Sequence, residues 1–210
     1  MRLLGLLILG LLSAAIAIYA VAVYSLLPLG TGLSPEMKAN FIANRPFIYT
    51  HIFASAVALM LGPFQFSTAL RRRFTRLHRW SGRAYLGIGV LFGGLCALYM
   101  SAHAFGGAVA KLGFAGLAVC WLYTGLQAFL AIRRGSVDEH RKWMVRNFSL
   151  TFAAVTLRIY IPASVMAGIP FEVAYPVIAW VSWVPNLLVA ELALNARRKS
   201  LTPSPLRGPG

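Results

Sequence analysis

Apolar and polar positions divide this chain into six long apolar runs separated by short polar breaks. The first covers residues 3–27. It exceeds the apolar core of about 7–15 residues in a secretory signal and reads as a transmembrane helix. Further spans are predicted over residues 47–70, 81–104, 109–132, 143–161 and 173–193. Together they make residues 1–196 an all-α, polytopic helix bundle of about six spans. Gly62-Pro63 predicts a kink near the end of the second run, because proline removes a backbone hydrogen bond. Ser136-Val137-Asp138-Glu139 has the S-x-x-E spacing of a capping box, so the fifth helix starts there and stops ahead of Pro162. Pro176 and Pro185 are expected to bend the sixth. Residues 28–46, with Pro28, Gly30, Gly32 and Pro35, read as an irregular loop, and Gly106-Gly107 as a tight turn. GLSPE (32–36) and GGAVAKLG (106–113) carry no further signal. Residues 197–210, basic and then rich in Pro and Gly, read as a disordered tail.

Charge orients this layout. Six arginines (71, 72, 73, 76, 79, 83) crowd between the second and third runs with no acid among them. Short arginine-rich connections stay on the cytoplasmic side. With both termini on that side, sixteen of the twenty basic residues fall there. The expected setting is a bacterial cytoplasmic membrane. The chain is 59% hydrophobic and 12% charged, with a net charge of +15 confined to short connections. That pattern points to anionic headgroups and excludes nucleic acid as the partner, since no basic surface interleaved with aromatics accompanies it. Cys96 and Cys120 form no disulfide framework and read as inert thiols.

In this topology the four histidines fall into two pairs. His51 and His103 lie toward the outer ends of the second and third helices, His78 and His140 at the inner ends of the third and fifth. A bis-histidine haem takes one imidazole from each of two helices. His78 and His103 are about seven α-helical turns apart and so share a face on a regular helix. They would also lie about 37 Å apart, more than the ~30 Å hydrocarbon core, so one haem would sit in the headgroup region. Each histidine taken alone reads as an interfacial polar residue. His78-Arg79-Trp80 with Arg83 echoes His140-Arg141-Lys142-Trp143 with Arg146. Arginines beside a histidine at a helix start suit propionates or other anions, and equally suit the cytoplasmic charge bias.

Arg158 falls inside the fifth span, where an unpaired cation costs at least about 2.5 kcal/mol. Glu172 or a bound anion matches its depth better than Glu191 does; the alternative is a side chain snorkelling to headgroups. Gln65, Asn147 and Tyr85 join the polar stripes of the spans and are candidate ligand-lining residues. No GxSxG, HExxH, phosphate loop or carboxylate pair is present.

His51, GPFQF (62–66), LRRRF (70–74), LHRWSGRAY (77–85), EHRKWMVRNFSLTF (139–152) and TLRIYIP (156–162) resemble a family of predicted bacterial inner-membrane proteins catalogued as a domain of unknown function. The resemblance implies a polytopic membrane protein. More weakly, the placing of the histidines is similar to that in cytochrome b561-like di-haem bundles. It implies a b-type electron-transfer protein with haem b on His51 with His103 and on His78 with His140. Arg79, Arg83, Arg141 and Arg146 would then steady inner propionates, Arg158 outer ones, and quinol or a soluble redox partner would supply electrons. The other readings are a binding or transport protein for an anionic or lipid-like ligand, lined by Arg158, Gln65, Asn147 and the histidines, and a structural assembly subunit.

Overall fold

The computed structural model describes the backbone of residues 3–201 and the side chains of residues 4–196. Among them it holds helices only, and six are long and apolar enough to cross a membrane. A spanning helix satisfies every backbone polar group within itself, which is why the long apolar runs take this form. The first span is α1 (Leu3–Leu26), followed by a short α2 (Pro35–Ala43) and the second span, α3 (Arg45–Gln65). Two short basic helices come next, α4 (Thr68–Arg73) and α5 (Thr75–Ala84). The third span continues from α5 through a π-helical segment (Tyr85–Phe92) into α6 (Gly93–Ser101). α7 (Gly107–Arg133) is the fourth span, α8 (Val137–Thr151) with α9 (Ala153–Met166) the fifth, and α10 (Phe171–Val181) with α11 (Val184–Leu201) the sixth.

Several boundaries differ from the sequence-based expectation. The second span ends at Gln65, because Ser67 caps a new helix through Leu70 N–H (3.2 Å). The arginine-rich stretch is therefore helical and not a loop. α2 replaces part of the irregular connection expected over residues 28–46: Ser34 caps it through Met37 N–H, Pro35 opens it and Glu36 sits in its first turn. Those signals lay within GLSPE. The fifth helix starts as expected after Ser136, yet Ser136 makes no side-chain cap bond. It does not stop ahead of Pro162, but bends at Phe152 and runs through the proline to Met166. The sixth span breaks at Ser182-Trp183, next to Pro185. There the Ser182 carbonyl accepts from Thr156 Oγ1 and from Asn186 Nδ2 (3.0 Å). Residues 197–201 belong to α11, and the rest of the expected tail, 202–210, lies outside the described residues.

The second to fifth spans form the centre. Tyr85, Val90, Trp121, Met144, Phe148 and Leu150 are buried together there, with Trp183 of the sixth span against them. The first span packs on α3 and touches α9; α10 lies against α7 and α9, and α11 against α8. Without a hydrophobic drive between helices in lipid, close approach depends on small residues. At Gly89 an added Cβ would sit 2.7 Å from the Ala58 Cβ. At Gly87, two residues along the same segment, it would meet nothing within 4 Å. Gly106 (φ 90°) and Gly107 (φ 71°) make the expected tight turn in a conformation that favours glycine.

Gly89→Val should therefore destabilise the bundle by about 1–3 kcal/mol, while Gly87→Val stays within about 0.5 kcal/mol of wild type. Thermal unfolding of the purified protein in detergent compares the two; equal losses would contradict this packing.

Candidate functional site

The polar side chains of the centre satisfy one another. Asn147 of α8 donates through Nδ2 to the Trp121 carbonyl (2.7 Å) and to Thr124 Oγ1 (2.9 Å), both on α7. Its Oδ1 accepts from the Tyr85 hydroxyl (2.7 Å) of the third span. Thr151 Oγ1 lies 2.8 Å from the Tyr85 oxygen and accepts from Trp121 Nε1 (2.8 Å). A consistent set of protons runs Trp121 to Thr151 to Tyr85 to Asn147 to Thr124, and Thr124 donates to the Cys120 carbonyl (2.8 Å). Every donor is used. Asn147 and Tyr85, expected to line a ligand site, are instead fully buried and close this clamp. Trp121 and Thr124 were missed, because only their position opposite Asn147 distinguishes them from ordinary span residues.

The open site lies in the half of the bundle nearest the arginine-rich end. A cavity of about 2320 Å³ runs between α1, α3, the third span, α7 and α8. Leu7, Leu11, Leu86 and Val90 make its walls apolar. Phe64, Leu126 and Phe129 on its edge are exposed, so it opens sideways to where lipid lies. Gln65 lines it and donates to Ser81 Oγ (2.9 Å), while Gly82 leaves room for the Gln65 carbonyl oxygen. The rim is basic: Arg71, Arg79, Arg83, Arg133, Arg141 and Lys142 reach it, and Asp138 is the single carboxylate among the lining residues. Arg71, Arg133 and Lys142 were not among the expected site residues. Their signal was present in the charge pattern, but it does not tell a rim from a solvated connection.

His78 and His140 both line this cavity, and each lies within electrostatic reach of the other. The Nδ1–H of His140 donates to the Ala128 carbonyl of α7 (2.8 Å), leaving Nε2 free. His78 Nδ1 is buried with no partner among the described residues. The echo between the two HR segments is structural: Arg83 stacks on Trp80 (4.8 Å) and Arg146 on Trp143 (4.7 Å). Arg146 then turns away from the cavity. It forms a two-pronged ion pair with Glu191 of α11, with Nη2 to Oε2 at 2.9 Å, so it is not available to a propionate.

The other expected pair, His51 and His103, is not brought face to face. His51 Nδ1–H donates to the Gly93 carbonyl of the third span (2.9 Å). His103 lies ten residues beyond Gly93, past the end of α6, which is about 15 Å further along the axis. It is exposed and rests on Tyr99. The shared face expected for His78 and His103 assumed regular α-helix. The π-helical segment between them has wider turns, each advancing less than the ~100° per residue of an α-helix, and it removes that register. Arg158 has no Asp or Glu within ion-pair distance; its Nη1 donates to its own helix at the Ala154 carbonyl (2.9 Å). The expected partner Glu172 does not reach it. No cluster of three or more metal-ligating side chains occurs among the described residues.

A family model described as a predicted membrane protein (DUF2306) matches residues 48–194, from the second span into the sixth. No curated protein and no solved structure matches the chain.

Asn147→Leu should cost about 1–3 kcal/mol by leaving the Tyr85 hydroxyl and the Thr124 oxygen without their partner. Gln65→Leu, at the cavity edge, should cost well under that. Unfolding curves in one detergent measure both; an Asn147→Leu protein as stable as wild type would contradict the clamp.

Proposed function

We propose, for a chain that belongs to the DUF2306 family of predicted membrane proteins, that it binds or carries an amphipathic ligand with an anionic group in the cavity at its arginine-rich end. The cavity carries the reading, since apolar walls open sideways to lipid beneath a rim of five arginines and a lysine. An acyl chain or flat apolar body replaces lipid contacts on the walls at little cost. An acidic group meets guanidinium groups suited to two-pronged bonds with a carboxylate or phosphate. The arginine-rich end faces the cytoplasm of a bacterium, following the bias of basic residues. The clamp behind the cavity keeps its inner wall fixed, so specificity rests on the rim.

A second reading has a specific observation in its favour. His140 donates from Nδ1 to the Ala128 carbonyl, the kind of bond that orients an imidazole whose Nε2 ligates a metal. His78 faces the same cavity. Haem b would take one imidazole from each of these two residues, with Arg79, Arg83 and Arg141 of the same cavity holding its propionates. The fit is incomplete, because His78 Nδ1 has no acceptor to fix its ring. Haem would supply one-electron chemistry, and this chain's residues would orient it and neutralise its carboxylates. On this reading a single inner site replaces the two expected.

In nanodiscs of phosphatidylcholine, added phosphatidylglycerol of the same acyl chains should raise the unfolding temperature of wild type. Arg79→Gln with Arg141→Gln should weaken that effect by about thirtyfold in apparent affinity, at about 1 kcal/mol per basic residue. An undiminished response in the double variant would contradict the rim as the recognition element. Haem-replete cells separate the readings. A reducible Soret band lost in His78→Ala and in His140→Ala supports haem, and a colourless protein rules it out.

A further inference from the structure

Arg158 stands on α9 about 12 Å short of its outer end, in the opposite half of the bundle from the arginine-rich cavity. Among the described residues its charge has no internal counterion. The chain holds five carboxylate side chains, and three of them are taken: Asp138 by Arg141, Glu139 by Lys142 and Glu191 by Arg146. Glu36 and Glu172 pair with no base among the described residues. Of the five N–H donors of Arg158, one has a protein acceptor, the Ala154 carbonyl at 2.9 Å. The remaining donors are not sealed, for none is among the buried side-chain atoms without a partner.

The direction of the side chain separates two explanations. A snorkelling arginine extends along its helix toward the nearer headgroups. Arg158 folds back on its own helix, onto the carbonyl four residues earlier, and so stays at bilayer depth. Four residues on, Pro162 lacks the N–H that would bond the Arg158 carbonyl, which loosens the backbone at that point. Tyr24 of the first span, which packs against α9, and His51 of the second lie within electrostatic range of the Arg158 charge. His51 spends its N–H at Nδ1 on the Gly93 carbonyl, so it offers an anion no donor.

We infer that Arg158, with Tyr24 near it, forms a second and separate site that takes the oxyanion of a ligand, a carboxylate or phosphate, within the outer half of the membrane. A guanidinium presents paired donors to either group, and a phenol hydroxyl adds a third. Held at that depth, the charge serves a ligand that enters the bundle between the first, second and fifth spans. The site shares no lining residue with the inner cavity, so it stands or falls independently of the function proposed above.

The test uses full-length protein in neutral phosphatidylcholine nanodiscs and four probes: oleate, oleoyl lysophosphatidate, oleyl alcohol and inorganic phosphate. Oleate or lysophosphatidate, or both, should raise the unfolding temperature, and oleyl alcohol should not. Arg158→Gln should weaken that response at least about tenfold in apparent affinity, with Arg158→Lys intermediate. The Arg79→Gln, Arg141→Gln protein, which loses two of the six basic side chains of the inner rim, should keep the part of the response that Arg158→Gln removes. A response to inorganic phosphate that Arg158→Gln removes would also support the site and identify its ligand as a free anion. Equal responses of wild type and Arg158→Gln to all four probes would overturn the proposal. If Arg158→Gln does not fold, Tyr24→Phe replaces it, and an unchanged response would overturn the proposal as well.

Discussion

Within a bilayer no water is present to satisfy a stray donor, so the bundle is governed by where its few interior polar groups find partners. Asn147 settles this for three spans at once. It ties the fifth helix to two groups on the fourth and, through Tyr85, to the third. Hydrogen bonds between membrane helices average under about 1 kcal/mol each, so the clamp matters less as glue than as register. Only one rotation of α8 against α7 and the third span closes all of it. Around it Gly89 lets the third span approach the backbone of Ala58, while Gly62 and Gly125 make room for the Phe148 ring and the Val90 side chain.

The same clamp determines what the cavity can recognise. Because Asn147, Tyr85, Thr151 and Trp121 spend their capacity on one another, the inner wall offers a ligand mainly apolar contact. The polar recognition left is the rim of basic side chains, the two histidines and Gln65. A ligand matched to such a site has an apolar body and an acidic head. The π-helical segment Tyr85–Phe92 belongs to this arrangement: its first residue enters the clamp, while Leu86, Gly87, Val90 and Leu91 face the cavity. Wider helical turns of this kind recur at functional sites.

Much of the architecture was legible in the order of residues. Apolar runs gave the six spans, the arginines between the second and third marked one end, and the motifs from His51 to Pro162 pointed to the family that the match over 48–194 shows. What escaped has physical causes. A π-helical turn differs from an α-turn by one residue in hydrogen-bond register, and no periodicity in an all-apolar stretch exposes it. Pro162 is tolerated because neighbouring helices support α9, so the rule that proline ends a helix failed. The polar stripes were real, yet a stripe does not reveal whether its residues meet each other or a ligand. Asn147 and Tyr85 meet each other, and Gln65 reaches the cavity. The outer histidine pair was inferred from depth alone, and the main-chain bond of His51 fixes it about three turns from the level of His103.

Native mass spectrometry of the protein released directly from its own membrane, without added lipid, measures most directly whether the inner cavity holds an anionic amphipath. The account predicts a bound species with an acidic group, retained by wild type and depleted when Arg79 and Arg141 are both replaced by glutamine. A wild-type spectrum showing the bare chain, or only neutral lipid in proportion to its abundance in the membrane, would contradict it.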